Sequence, residues 1–260
     1  MSIRSAIILA AGRGSRIGAH TERAPKCLVR LGGRCLLDWQ VDALHAAGVD
    51  DITLVAGYRA DALRKRTNLR LVENPAWQSS GPVTSLCTAN PASYSQGFFI
   101  VYGDGAFHPD LIRALKTIPE SIGITSDSLW RELWSARFAQ VLDDAETLRF
   151  ANGRLLEIGA RSRSPEAIQG QFTGLVKFDA LGWARAQRCI DGLGERQVAS
   201  LDMTTLLAQL LLEGAPIGVA SIAGRWCEVD SASDLALYRR LLRRRRWAHD
   251  WRWETERVWA

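Results

Sequence analysis

The chain has 260 residues, of which 47% are hydrophobic and 23% charged, and this composition excludes a disordered chain. No apolar run reaches the ~18 residues of a membrane-spanning helix, and the apolar stretch at residues 6–11 is too short for a signal peptide. The five cysteines are scattered without zinc spacing, which indicates reduced thiols and a cytoplasmic protein. The net charge of +5 is concentrated near the C-terminus, so we expect no nucleic acid as partner.

Short apolar runs alternate with helix-like segments in the first half of the chain. Because near-continuous apolar strands alternating with helices are typical of a parallel sheet covered on both faces, we predict an α/β, doubly wound, mostly parallel Rossmann-like sheet. Ligands of such sheets bind at the carboxyl ends of the strands. The predicted strands are 5–10, 51–56, 69–73 and 97–102, and the predicted helices are 36–47, 60–66 and 109–116.

The second half is less regular, and there we predict a small inserted β region. The predicted strands are 138–142, 147–158 (with a turn at 152–153), 172–178 and 217–222, and the predicted helices are 202–213 and 231–246. Because no linker or repeat interrupts the chain, we predict one domain over residues 1–246, followed by a tryptophan-rich tail over 247–260.

A glycine-rich loop follows the first strand, with the spacing G-x-G-x-x-x-G from Gly12. This spacing is neither the dinucleotide fingerprint nor a Walker A loop. Glycine turns let backbone N–H groups approach phosphate oxygens, and Arg13, Arg16 and Lys26 add positive charge. The loop therefore predicts a triphosphate site, whereas the alternative is a tight turn with surface arginines.

Residues 9–26 resemble the start of the nucleotidyltransferases that make activated sugars and alcohols, whose signature is L-x-A-G-x-G-x-R followed by Pro-Lys. Further matching segments are Gly103-Asp104 and Trp226-Cys227-Glu228-Val229-Asp230. The pattern looks most like the branch that includes phosphocholine and phosphonate cytidylyltransferases. The resemblance extends from residue 3 to about residue 242 and is weakest from 118 to 201.

The resemblance implies that Asp104 and Asp230 bind Mg²⁺, a cation that prefers carboxylate and phosphate oxygens. It also implies that Arg16, Lys26 and Asp104 are the catalytic residues. The metal ion would bridge the two phosphorus groups and polarise the one attacked. From the residues alone, a carboxylate at a helix N-terminus is the better explanation of Asp230, whereas for Asp104 a turn residue is the less favoured explanation.

The resemblance also implies where the nucleotide and the acceptor bind. At positions 79–82 the family has a Thr-Asn-Asn-like run, whereas this chain has Ser-Ser-Gly-Pro. For the acceptor we expect an aromatic box with Trp130, Trp226 and Glu228, which would suit an ammonium group. Arg131 and Arg137 would equally favour an acceptor with a carboxylate, and packing in the core or in a lid is the better explanation of any one of the tryptophans. The nucleotide-binding residues implied are Ala10, Ala11, Gly12, Arg13, Gly14, Ser79, Ser80, Gly81 and Ser85.

The tail combines arginines at 239, 240 and 243–246 with Trp247, Trp251, Trp253 and Trp259. We expect these tryptophans to pack on the body of the protein or on a second subunit in a homodimer. Binding to an anionic membrane surface or to single-stranded nucleic acid is an alternative explanation of the same residues.

The function expected from these features is Mg²⁺-dependent transfer of a nucleotidyl group, CMP from CTP, to a small phosphorylated or phosphonate substrate with release of pyrophosphate. The alternative within this chemistry is a sugar-1-phosphate nucleotidyltransferase using UTP, dTTP or GTP. A nucleotide-binding module without activity is a different class, and the presence of Arg16, Lys26, Asp104 and Asp230 together argues against it.

Overall fold

A computed structural model describes residues 3–244 and 246–253. One central sheet has the strand order β5-β4-β1-β6-β11-β8-β12-β10-β9, and two short ribbons pair β13 with β7 and β2 with β3. The strands are β1 Ser5–Ala10, β2 Arg30–Leu31, β3 Arg34–Cys35, β4 Asp51–Ala56, β5 Arg70–Glu73, β6 Phe98–Tyr102, β7 Gly105–Phe107, β8 Ile122–Asp127, β9 Glu146–Ala151, β10 Arg154–Arg161, β11 Gln171–Phe178, β12 Ile217–Ile222 and β13 Trp226–Glu228.

Helices cover both faces of the sheet, and the sheet separates two clusters of buried apolar side chains, one on each face. The side chains of β1 show why, since Ile8 belongs to one cluster and Ile7 and Leu9 to the other. The helices are α1 Leu36–Ala46, α2 Ala60–Arg66, α3 Pro82–Thr88, α4 Pro109–Thr117, α5 Trp130–Arg137, α6 Ala180–Asp191, α7 Glu195–Ser200, α8 Met203–Leu212 and α9 Ala232–Leu241.

The predicted mostly parallel sheet is confirmed. Strands β5, β4, β1 and β6 are parallel neighbours, as are β8 and β12, whereas β11 is antiparallel to both β6 and β8. The hairpin β9–β10 joins the edge of the sheet beside β12, and Asn152 and Gly153 at its turn have φ values of 50° and 73°. This hairpin is the predicted inserted β region. The chain takes positive φ there because an Asn-Gly turn matches the twist of paired strands.

Two sequence predictions were wrong in detail. Residues 138–142 form no strand; Phe138 follows α5 directly, and a single 3₁₀ turn occupies Val141–Asp143. The final helix was predicted to reach residue 246 but ends at Leu241. It ends there because Leu241 is the last residue of its buried face, which also includes Tyr238, and the chain continues with arginines from position 243. The prediction also missed β2, β3, β7, β8, β13, α3, α5, α6 and α7.

The segment after α9 turns back onto the body, and we call residues 246–253 the C-terminal strap. Trp251 is fully buried and meets Trp39 edge-on with a centroid distance of 6.1 Å, while Trp247 stacks on Tyr238 at 5.4 Å. The Nε2 atom of His249 lies 2.9 Å from an Asp127 carboxylate oxygen, and both side chains are buried. The first three tail tryptophans thus pack on the body, whereas Trp259 lies outside the described residues.

The parallel strands β1, β4 and β6 bring their carboxyl ends to one edge of the sheet. At this edge β1 leads into the glycine loop, and β6 leads into Gly103-Asp104. The ribbon of β7 and β13 lies at this edge and pairs Glu228 with Gly105. The Val229 amide then donates to the Asp104 carbonyl oxygen at 2.9 Å. This ribbon is therefore the element that places Asp230 beside Asp104.

No helix among the described residues is long and apolar enough to cross a membrane.

Gly103 lets β6 approach β1 closely, because its amide donates to the Leu9 carbonyl oxygen at 2.9 Å. A Cβ at position 103 would lie 2.8 Å from that oxygen and 3.0 Å from the Ala10 Cβ, so the backbone would have to shift. We expect Gly103→Ala to lower the free energy of unfolding by about 1–3 kcal/mol, measured by denaturant titration. Gly12→Ala is the matched control, since its Cβ would meet no described atom within 4 Å. Equal stability of the two variants would contradict the prediction.

Candidate active site

Lys26 lies between the two aspartates that were predicted to bind metal. Its Nζ atom donates to Asp104 Oδ2 at 3.0 Å and to Asp230 Oδ1 at 2.6 Å. The side chain starts from a short 3₁₀ turn after Pro25, and Gly14 packs against it. Gly14 has φ of +68°, and a Cβ there would lie 2.8 Å from the Lys26 Cβ, so both backbone and space require glycine. The glycine loop and the lysine are therefore one unit.

The charges in this cluster stabilise one another. Burial alone would lower the pKa of Lys26, but the carboxylates of Asp104 and Asp230 outweigh it and raise that pKa above its ordinary value. For Asp230, burial acts to raise the pKa, and the charge and hydrogen bond of Lys26 overcome it, so the pKa is lowered. The lysine is thus held as an ammonium and Asp230 as a carboxylate at neutral pH.

The two loop arginines lie at different distances from the cluster. The Arg16 side chain is 70% exposed, and its Nη2 atom lies 3.4 Å from Asp230 Oδ1. Arg13 is exposed and its guanidinium lies over the ring of Tyr58, 5.5 Å from the centroid. Arg16 is therefore next to the carboxylates and free to meet an anion from solvent, whereas Arg13 lies over the neighbouring loop.

A cavity of about 260 Å³ opens between the glycine loop and the start of α3. Asn74 shapes its far wall, because its Nδ2 atom donates to the hydroxyls of Ser80 and Ser85 at 2.9 and 3.0 Å. Ser79 is exposed, and its hydroxyl contacts the Ala76 carbonyl instead. The predicted nucleotide residues in the lining are Ala10, Ala11, Gly12, Gly14, Ser80, Gly81 and Ser85, and Lys26, Trp77, Tyr102 and Asp104 also contribute.

A second cavity of about 240 Å³ lies on the other side of Asp104 and Tyr102, which line both cavities. Trp226 and Glu228 contribute to its wall as β13 passes, although Trp226 is only 2% exposed. Trp130 is instead a core residue on α5, 2% exposed and against the ring of Trp134 at 6.2 Å. The sequence analysis did not identify six further lining residues, which lie at the end of β6, on β11 and at the start of α8: Tyr102, Phe172, Thr173, Asp202, Met203 and Thr204.

A third cavity of about 200 Å³ adjoins the second, with Phe172, Thr204 and Glu228 common to both. Its lining includes the carboxylate residues Asp144, Glu146, Glu228 and Asp230, together with the indole of Trp134. Desolvation raises the pKa of Glu228 above its ordinary range, against the opposing charge of Arg137. The far end of the site is thus acidic, while the end at the glycine loop carries cations.

Cations and a glycine loop at the carboxyl edge of a Rossmann-like sheet suit a nucleotide's phosphates, and Asp104 and Asp230 lie where an incoming group would meet them. This arrangement is suited to the transfer of a nucleotidyl group. A MobA-like NTP transferase domain matches residues 6–124. Over 246 residues the chain is 31% identical to the CTP:phosphoglutamine cytidylyltransferase of Campylobacter jejuni, covering 89% of this chain and 97% of that protein.

A further relative agrees with this assignment, and a solved structure shares the fold. The chain is 30% identical over 249 residues to the 2-aminoethylphosphonate cytidylyltransferase of Lancefieldella rimae, covering 90% of this chain and 91% of that protein. The inositol-1-phosphate CTP transferase from T. maritima has the same fold, with a TM-score of 0.72 and 22% identity over 92% of this chain and 94% of that one. The chain therefore belongs to the nucleotidyltransferase family of these cytidylyltransferases, and the resemblance predicted from residues 9–26 is confirmed.

Proposed function

We propose that this protein is a cytidylyltransferase that transfers CMP from CTP to the phosphate or phosphonate group of a small amino-bearing acceptor and releases pyrophosphate. The observation that carries the proposal is the pair of cavities that share Asp104 and Tyr102. One cavity contains the glycine loop, and the other leads to the acidic end of the site. The names of the relatives from Campylobacter jejuni and Lancefieldella rimae support both CTP and a phosphorus-bearing acceptor.

The reaction needs no nucleophile from the protein. The acceptor's own phosphate or phosphonate oxygen attacks the α-phosphorus of CTP, and the bond from that phosphorus to the pyrophosphate oxygen breaks. Arg16 and Lys26 lie where they would offset the charge of the triphosphate and of departing pyrophosphate. The glycine loop orients the nucleotide through its backbone N–H groups, as glycine turns do at other phosphate sites.

The carboxylates of Asp104 and Asp230 fit Mg²⁺ as a donor set. Both approach a single Lys26 ammonium group, at 3.0 and 2.6 Å, so they lie close enough to share one small cation. Within residues 3–244 and 246–253, no cluster of three or more His, Cys, Asp or Glu side chains could hold a metal ion. Nucleotide oxygens would therefore complete the shell, as is common for Mg²⁺. When bound there, the ion would neutralise charge between the two reacting groups.

The acidic third cavity favours an acceptor with an ammonium group over one with a carboxylate. The carboxyl groups of Asp144, Glu146 and Glu228 would attract a cation and repel an anion, and an ammonium group beside them would lower the raised pKa values of Glu146 and Glu228. The two arginines that a carboxylate could have used are engaged elsewhere. Arg137 pairs with three carboxylates of the protein, and Arg131 lies against Glu166 at 3.5 Å.

The test is pyrophosphate release with Mg²⁺ from each of CTP, UTP, dTTP, GTP and ATP. The acceptors are phosphocholine, 2-aminoethylphosphonate, phosphonoacetate and glucose 1-phosphate. We expect release with CTP and an amino-bearing acceptor, and little with phosphonoacetate, which has a carboxylate in place of the amine. Release only with glucose 1-phosphate and UTP or dTTP would assign the protein to the sugar nucleotidyltransferases. No release with any pair, from folded protein that binds CTP, would refute transfer to these acceptors.

A further inference from the structure

Arg137, the last residue of α5, has a fully buried side chain next to the proposed active site. Its guanidinium lies over two neighbouring aromatic rings, 5.1 Å from the centroid of Trp134 and 4.9 Å from that of Phe138, and the two centroids are 6.3 Å apart. These rings cover the guanidinium from adjacent directions, which restricts its orientation and its contact with water. The edge of the guanidinium is therefore left to contact carboxylates.

Three carboxylates meet that edge, and Asp234 accepts from both Nε and Nη2. Nη1 donates to Glu228 Oε1 at 2.5 Å, Nη2 to Asp230 Oδ2 at 3.0 Å, and Nε to Asp234 Oδ1 at 3.1 Å. Asp234 in turn accepts hydrogen bonds from the backbone amides of Asp230 and Ser231 at 2.9 and 3.0 Å. The start of α9, the side chain of Asp230 and the side chain of Glu228 are thus tied to one cation.

This arrangement fixes the direction of Asp230. Its Oδ2 atom is held by Arg137, while its Oδ1 atom faces Lys26 at 2.6 Å and Arg16 at 3.4 Å. A guanidinium has five N–H donors in a rigid fork, whereas an ammonium is a point charge on a flexible stem. Only arginine among the side chains can bridge three carboxylates in this geometry. The bond to Glu228 likewise orients a carboxylate that lines the second and third cavities.

We propose that Arg137 is a positioning residue, which holds Asp230 and Glu228 in the orientation needed for metal binding and for the acceptor while contacting neither nucleotide nor acceptor itself. The inference rests on the proposed function, because it assigns Asp230 to the reacting phosphates. It also explains why Arg137 is not the carboxylate-binding residue considered from the sequence. Its charge is already matched by side chains of the protein.

The experiment compares Arg137→Lys and Arg137→Met with the matched pair Arg4→Lys and Arg4→Met. Arg4 also pairs with an aspartate, Asp50, but it is 69% exposed and lies before β1, at the opposite edge of the sheet. Folding is checked by circular dichroism and thermal unfolding. Calorimetry measures CTP binding without acceptor, electron paramagnetic resonance measures free Mn²⁺ in the presence of CTP, and steady-state assays give kcat and KM over a range of Mg²⁺.

We expect folded Arg137→Lys to bind Mn²⁺ in the CTP complex about 10–100-fold more weakly, with kcat reduced by a similar factor, as for other groups that orient metal ligands. The acceptor KM should rise as well, because Glu228 loses its partner. CTP binding without metal should stay within about threefold of the wild type, and both Arg4 variants should match the wild type.

The outcomes separate the inference from the proposed function. If the wild-type protein shows no turnover, the proposed function itself is refuted. Turnover by wild type, with Mn²⁺ binding and kcat unchanged in folded Arg137→Lys, would overturn the inference alone. If Arg137→Met unfolds, the lysine variant decides. If both unfold, Arg137 serves only stability, and the positioning role is refuted.

Discussion

Asp104→Asn should reduce kcat/KM for pyrophosphate release by about 10²–10³-fold, the range typical of losing one preorganised group that stabilises transition-state charge. The carboxylate lies at the wall between the two main cavities, and asparagine keeps its shape while removing its charge. The reacting phosphates would then lose half of the carboxylate pair proposed to hold Mg²⁺. The measurement is steady-state kinetics with CTP and the best acceptor, together with CTP binding in the absence of acceptor.

The control for this prediction is Asp42→Asn. Asp42 also pairs with a basic residue, since Arg34 Nη2 lies 2.6 Å from its Oδ2, but it lies on α1 and is 40% exposed. We expect its kinetics to match those of the wild type, and CTP binding to persist in both variants. An Asp104→Asn protein that retains full kcat/KM would show that Asp104 is a turn residue without a part in the chemistry.

Trp251→Ala should lower the free energy of unfolding by about 3–5 kcal/mol, as expected when a fully buried tryptophan is truncated. The consequence should extend to the active site. The strap's Ala248 carbonyl accepts from the Arg225 amide at 2.8 Å, and the chain then continues into β13, Glu228 and Asp230. We therefore expect lower kcat as well as lower stability, measured by denaturant unfolding and by pyrophosphate release below the unfolding transition.

His249 provides an independent test of the strap. It contacts Asp127, whose other oxygen accepts from the amides of Gly224 and Leu129 at 2.8 and 3.0 Å. Burial would raise the pKa of Asp127, but the hydrogen bond from His249 lowers it below its ordinary value. His249→Ala should thus also lower the free energy of unfolding, because Asp127, which holds the loop at Gly224, loses its contact with the strap. Leu212→Ala, at an 89% exposed position, is the control and should leave stability unchanged. Wild-type stability in Trp251→Ala would mean that the strap contributes nothing to the fold.

Much of the nucleotide end could be predicted because its residues are local in sequence. A buried strand, a glycine loop and Pro-Lys lie within residues 5–26, so their order alone indicates a phosphate site. The Gly103-Asp104 pair was placed correctly for a similar reason. Parallel strands bring their carboxyl ends to one edge, so a residue after any such strand reaches the same place.

The acceptor end was harder to predict, because its residues come from separate segments that no periodicity connects. Trp130 was expected to face the acceptor, but helical spacing on α5 turns it into the core. Arg137, one helical turn after Leu133, was read as a ligand-binding cation, although the carboxylates that it meets come from β13 and α9. A sequence shows the charge of a side chain but not whether the fold has already supplied its partner.

The sequence by itself determined the class of the fold, the glycine loop proposed to bind phosphates, and which two aspartates and which lysine were candidates for the site. Only the tertiary structure brings these three side chains into contact, since Lys26 is separated from Asp104 by 78 positions in the sequence and from Asp230 by 204. The element that brings Asp230 to Asp104 is the ribbon of β7 and β13, two strands of three residues each. Strands of three residues are too short to show an alternation of apolar and polar side chains. They pair through backbone hydrogen bonds, which do not depend on a particular side-chain pattern. Long-range placement of this kind follows from packing of the whole chain, to which local patterns contribute no signal.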